Sequence, residues 1–173
     1  TASIAQVTSD FLRQFPKVSL RIQFGKSEQL IDCMSNGELD IALTESQGYS
    51  EPEVFLMIPV APLRAEIICR PQHPLARRKG LTFADLAECH WALADSDMRR
   101  PSFNRAFERL NVQAPQPILE TSSISLIKRC VENMDLLAAV DLKSVSLELH
   151  RGTLCTLSMR DKLIDTPVFI LMR

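Results

Sequence analysis

The stretch VSLRIQFGKSEQLIDCMSNGELDIAL, residues 18–43, constrains the fold more than any other part of the chain. Val18, Leu20, Ile22 and Phe24 alternate with Ser19, Arg21 and Gln23, the two-residue period of a strand with one apolar face. Gly25, Lys26 and Ser27 break that period. Ser27 is placed to cap a helix whose apolar face is Leu30, Ile31 and Met34, and Gly37 after Asn36 supplies a left-handed stop. Leu39, Ile41 and Leu43 form the next strand. A strand–helix–strand unit of this length predicts a right-handed crossover in a parallel sheet, with ligands expected at the carboxyl ends of the strands. The fold class it implies is α/β.

The same alternation runs through the rest of the chain. Ser3 can cap a helix with Ile4, Val7, Phe11, Leu12 and Phe15 at helical spacing, stopped by Pro16. From Tyr49 to Pro62 the pattern weakens around Pro52, Pro59 and Pro62, which reads as a connection ending in a crossing between two lobes. Leu63 to Cys69 is a strand, RPQHPLARRKG a basic loop, and TFADLAEC a short helix opened by Thr82. His90 to Leu93 makes a strand, DSDMRR a polar loop, and Pro101 or Ser102 opens a helix carrying Phe103, Phe107 and Leu110. PILET is a strand, and Ser122 or Ser123 caps a helix with Ile124, Ile127 and Val131 inward. LLAAV is a wholly apolar strand of the kind that sheets bury. Val145 and Leu149 lie on a further helix ended by Gly152, followed by strands TLCTL and TPVFILM. An opening helix with no strand before it and an uncovered closing strand lead us to expect a piece of a longer protein.

Charge and composition exclude several functions. With 173 residues, 46% of them apolar, the chain can bury a sizeable core. A net charge of −1 leaves no basic stripe for displacing counterions from nucleic acid, so this part of the protein is not expected to hold DNA. Apolar runs such as Met134 to Val140 fall well short of a membrane span. Five cysteines, Cys33, Cys69, Cys89, Cys130 and Cys155, include no Cys-x-x-Cys pair and read as reduced residues of a cytoplasmic protein. His73, His90 and His150 have no second ligand at helical spacing, and neither a metal nor a cofactor is expected.

Gly25-Lys26-Ser27 invites a phosphate-loop reading, but that loop needs a glycine five residues earlier so that backbone N–H groups can face phosphates. Leu20 stands there, in mid-strand. A nucleophile elbow fails likewise, because Gln29 replaces its closing glycine and no histidine is tied to Ser27. No catalytic residue is assigned and the chain does not read as an enzyme. Two plainer roles stay open for Ser27: capping its own helix, or presenting the helix start to a small polar ligand beside Lys26. RRPSF, with Arg99, Arg100, Pro101, Ser102 and Phe103, and ETSSIS, with Thr121, Ser122 and Ser123, pose the same choice at two other helix starts.

Taken together, FLRQFPKVSLRI, GKSEQLIDCMSNGELDIAL, RPQHPLA, LTFADLAECHWAL, ETSSISLIKRCVENMDLLAAV, LHRGTL and TPVFILMR resemble the effector-binding domain of LysR-type transcriptional regulators, in order and over nearly the whole chain. The resemblance implies a periplasmic-binding-protein-like fold of two α/β lobes joined by crossing strands, with a small-molecule effector in the cleft. Lobe I would be residues 1–62 plus 165–173 and lobe II residues 63–164. It also implies ligand contacts by Ser3 and Ser27, by Pro101, Ser102 and Phe103, and by Ser122, Ser123 and Ile124, to which the chemistry of the helix starts adds Lys26 and Arg100. Lys26, Arg99 and Arg100 favour an anionic effector. The family's winged helix-turn-helix would precede this domain and make the DNA contacts, and a homodimer or tetramer would form through lobe I. The chain departs from the family pattern at Asp141, where proline is usual, and at Asn133 and Asp135, where glycine is common. A periplasmic solute-binding protein shares this architecture and is the alternative reading.

Overall fold

The computed structural model describes residues 4–45, 55–95, 99–161, 163 and 165–173. In chain order the elements are α1 (Ile4–Gln14), α2 (Ser27–Ser35), β1 (Ile41–Glu45), β2 (Leu56–Leu63), β3 (Ala65–Cys69), β4 (Lys79–Leu81) and β5 (His90–Ala94). They continue with α3 (Arg99–Glu108), β6 (Leu119–Thr121), α4 (Ile124–Asn133), β7 (Leu136–Asp141), α5 (Ser146–Arg151), β8 (Cys155–Thr156), β9 (Ser158–Met159) and β10 (Thr166–Met172). Single 3-10 turns occupy Phe83–Leu86 and Leu142–Val145. Among the described residues three sheets result, ordered β1-β10-β2, β6-β5-β7-β3-β8 and β4-β9.

The five-stranded sheet carries the larger core because both its faces are covered. Alternate residues of each strand point to opposite sides. Ile67, Cys69, Trp91, Leu93 and Leu137 pack with Phe83, Leu86, Phe103 and Phe107 on one side, while Ile68, Ala92, Leu136, Ala138 and Val140 pack with Ile127, Val131, Val145 and Leu154 on the other. Trp91 meets Phe103 edge-on at 4.8 Å between ring centroids, and its indole N–H donates to the Leu86 carbonyl at 3.3 Å. LLAAV is central and buried as its composition requires, parallel to β5 and antiparallel to β3. Thr82 opens its turn as expected, donating from both N and Oγ1 to the Asp85 carboxylate. Gly152 ends α5 with φ +69°.

Asp135, where glycine is common, makes a side-chain bond, and Asp141, where proline is usual, precedes a turn without a side-chain cap bond. Asp135 accepts from Arg70 Nε at 2.9 Å across the sheet end, and that guanidinium holds its carboxyl below the usual carboxylate range. Asp141 stands at the N-cap of the turn that follows β7.

The three-stranded sheet corrects the opening expectation. Residues 18–24 form no strand, and the sheet that β1 joins is antiparallel: β1 pairs with β10, and β10 with β2. Alternation specifies faces, but a strand also needs a neighbour to complete its ladder, and among the described residues none lies beside 18–24. Its apolar side chains stay outside, with Phe24 84% exposed.

The prolines read as a connection are the second correction, since Pro59 and Pro62 lie within β2. Their strand is at the sheet edge, where proline is tolerated, and Pro62 falls where three residue steps of β2, from Val60 to Leu63, span two of β10, a bulge. Pro167 lies in the central strand but at a register shift between Thr166 and Val168, a bulge that spares it a donor's duty. The stretch around Pro52 lies outside the described residues. A third strand pair was missed altogether: Lys79–Leu81, within the basic loop, runs parallel to Ser158–Met159.

Candidate functional site

The N-cap of helix α2 lies one residue before its expected position. Lys26 is the N-cap, its backbone N–H donating to Gln29 Oε1 at 3.3 Å, and Ser27 is already helical. The expectation that Ser27 caps the helix is therefore corrected. Freed from that bond, its hydroxyl donates to the carbonyl of Glu45 at 3.3 Å, tying the helix start to the carboxyl end of β1. Beneath it Thr44 is only 3% exposed, with no hydrogen-bond partner for Oγ1 among the described residues.

Lys26 reaches the other sheet. Its Nζ lies 3.4 Å from Asp95 Oδ1, at the end of β5, and both side chains are half exposed. Asp95 is itself fixed by its backbone N–H, which donates to the Thr121 carbonyl at 3.0 Å. Thr121 Oγ1 accepts the Ser123 N–H at 3.1 Å, and Ser123 Oγ accepts the Leu126 N–H at 3.3 Å, which makes Ser123 the cap of α4. One connected chain of bonds thus joins Lys26, Asp95, Thr121 and Ser123. Ser122 is exposed beside it, and Ile124 is half buried against the core of the five-stranded sheet.

The α3 residues split between two surroundings. The helix starts at Arg99, so Pro101 and Ser102 sit in its first turn rather than opening it, where a proline lacks an N–H that would be unsatisfied anyway. Pro101 is exposed. Arg100 is engaged by Glu120 and by Gln116 Oε1, the latter at 2.6 Å, so its charge is already compensated. Ser102 and Phe103 line a small cavity with Ala65, Leu93, Ala139, Leu163 and Thr166, where the chain crosses between the sheets. Its volume of about 20 Å³ is on the scale of one water molecule. Phe103, only 2% exposed, belongs first to the core. Ser3 lies outside the described residues.

Sequence reasoning missed Asp95, Ala65, Thr44 and Thr166. Asp95 offered one signal, an acidic residue directly after a predicted strand. The threonines offered none, because a lone β-branched polar residue in a strand reads as ordinary strand composition. Among the described residues no cluster of His, Cys, Asp and Glu could hold a metal, and no helix is long and apolar enough to cross a membrane.

Two lobes with a bonded seam between helix starts define the class: a periplasmic-binding-protein-like, two-lobed α/β domain. The model of the LysR substrate binding domain matches residues 2–173, and the chain belongs to that family. It is 33% identical over 85 residues to the HTH-type transcriptional regulator CysB of Haemophilus influenzae, covering 49% of this chain and 26% of that protein. CysB of Burkholderia cenocepacia is 28% identical over 131 residues, covering 75% of this chain and 41% of that protein. The chain thus spans less than half the length of these relatives. Among solved structures, the cofactor-binding domain of the Cbl transcriptional regulator superposes with a TM-score of 0.83 at 21% identity, covering 99% of this chain and 74% of that one. The CcmR regulatory domain of Synechocystis PCC6803, in complex with 2-PG, gives 0.82 at 19% identity, covering 97% and 80%. All four are regulators or their domains, none a solute-binding protein.

Proposed function

We propose that this chain is the effector-sensing domain of a bacterial transcriptional regulator of the LysR type, binding a small molecule between its two lobes. The observation that carries the reading is the bonded seam from Lys26 through Asp95 and Thr121 to Ser123, which links the starts of α2 and α4 on different sheets. A ligand inserted there touches both lobes and so changes their relative free energy, which is what a sensor requires. The division into residues 1–62 with 165–173 and 63–164 is supported by the sheets, since β1, β2 and β10 share one and β3, β5, β6, β7 and β8 the other, with Leu63 of β2 at the crossing.

Ser27, Ser102, Ser122 and Ser123 supply hydroxyls to such a ligand, and Lys26 a cation. Because Lys26 faces Asp95 and Arg100 faces Glu120, an anionic effector would have to compete with both carboxylates. Related domains have been solved with small molecules, CcmR with 2-PG and QuiR with shikimate, which supports a small polar effector here. DNA contact falls to a winged helix-turn-helix outside this chain, in a cytoplasmic protein without catalytic turnover. The dimer or tetramer forms through lobe I, where Ile4, Val7, Phe11, Phe15, Val18 and Ile22 are 37–57% exposed.

A thermal-shift screen of small acids, aromatics and sugars on the full-length protein tests the reading. A true effector at a hundred times its dissociation constant adds about 2.7 kcal/mol of stability. Ser27→Ala then weakens the hit by roughly 1 kcal/mol. A complete library with no hit, or a hit that leaves DNA binding unchanged, removes the proposal.

A further inference from the structure

Cys69 ends β3 and Cys155 opens β8, and the register places them directly opposite one another on antiparallel strands. Their Sγ atoms are 3.6 Å apart. The Leu157 N–H donates to the Ile67 carbonyl at 2.8 Å, so Ile67 and Leu157 form a hydrogen-bonded pair, and two residues along the ladder Cys69 and Cys155 do so again. Such pairs hold their Cα atoms about 5.5 Å apart, inside the span a disulfide bridges. Closing the bond thus needs side-chain rotation together with a small approach of the two strands, because the Cβ atoms of such a pair sit at the wide end of the cross-strand range. The two thiols differ in access: Cys69 is fully buried, whereas Cys155 is half buried on the strand at the sheet's edge.

We propose that Cys69 and Cys155 form a thiol-oxidation site, closed by a low-molecular-weight disulfide of the glutathione class and opened by the corresponding thiol. The less buried Cys155, as thiolate, attacks one sulfur of the oxidant when the edge strand admits it, forming a mixed disulfide and releasing one small thiolate that takes up a proton. The Cys69 sulfur then attacks Cys155 Sγ, its proton passing to the second small thiolate as that thiolate is expelled. Two protein thiols are oxidised to one disulfide and one small disulfide is reduced to two thiols. Burial raises the Cys69 thiol well above the usual range, so the buried partner resolves rather than initiates and the second step is the slower. The product staples the edge strand to β3 across 86 residues of sequence.

The test is a peptide map of the full-length natural protein equilibrated in glutathione buffers of increasing oxidised fraction, acid-quenched and alkylated. The expected product joins tryptic peptides 65–77 and 152–160, lighter by two hydrogens than their sum, while Cys33, Cys89 and Cys130 remain alkylated. The oxidised form melts roughly 4 °C or more above the reduced one and returns on adding dithiothreitol. Cys155→Ser removes both effects and Cys130→Ser neither. Recovery of Cys155 only as its glutathione adduct, a Cys69–Cys89 link, or linkage only after unfolding each overturns the proposal. The map on the natural sequence decides it even if a variant folds poorly.

Discussion

The two lobes were written with the same alphabet and ended differently. In the five-stranded sheet the alternating side chains of β3, β5 and β7 find helices on both faces, and Trp91, Phe107, Ile127 and Val131 are fully buried. In the three-stranded sheet a smaller cluster of Ile31, Met34, Ala42, Phe55 and Leu171 forms the core, while α1 buries nothing. Patterning declares which side of an element is apolar. Burial depends on whether a partner arrives, and among the described residues none covers α1 or residues 18–24.

That contrast can be broken from either end. Phe107→Ala opens a hole among Phe83, Trp91 and Phe103 and should cost about 3–5 kcal/mol in denaturant unfolding. Met34→Ala, in the smaller core, should cost about 2–4 kcal/mol. An equal or larger loss there would show that the first lobe is the better packed. Phe11→Ser should change the unfolding of an isolated monomer by less than about 1 kcal/mol while weakening self-association in analytical ultracentrifugation. A large monomer effect would mean that α1 is packed after all.

The smallest effect is one of pH. His73 is buried, and desolvation lowers its pKa in the folded chain, while its Nδ1 accepts the Leu75 N–H at 3.1 Å. A group held neutral by folding contributes stability that is complete above its unfolded pKa near 6.5 and declines as pH falls below that value toward the folded pKa. The melting temperature should therefore drop modestly from pH 7.5 to 5.5, and His73→Asn, which keeps an acceptor, should flatten the drop. An unchanged slope in that variant would assign the effect elsewhere.

Much of the second lobe could be read from the residues, because its signals were redundant. Thr82 with Asp85, Ser123 before an apolar helix face, and Gly152 after α5 each combine a local bond with a burial pattern. In the first lobe, alternation through Val18, Leu20, Ile22 and Phe24 had no second signal naming a neighbouring strand. The candidate site was half legible. Lys26, Ser27 and Ser123 stand at helix starts that local chemistry marks, but Asp95 earns its place only by facing Lys26, a relation between residues 26 and 95 that no local pattern carries. Arg100 illustrates the converse, since its compensation by Glu120 depends on a strand that comes later in the chain.

The placement of proline in the three-stranded sheet bears on how the protein avoids aggregating. Along β2, an edge strand among the described residues, Pro59 and Pro62 remove two backbone donors and so hinder a strand from another molecule from lengthening the sheet on that side. The opposite margin, Ile41 to Glu45, has no proline, and its Ile41 and Leu43 are exposed. Among the described residues the two edges of the sheet thus differ: proline blunts β2, and β1 carries no such block.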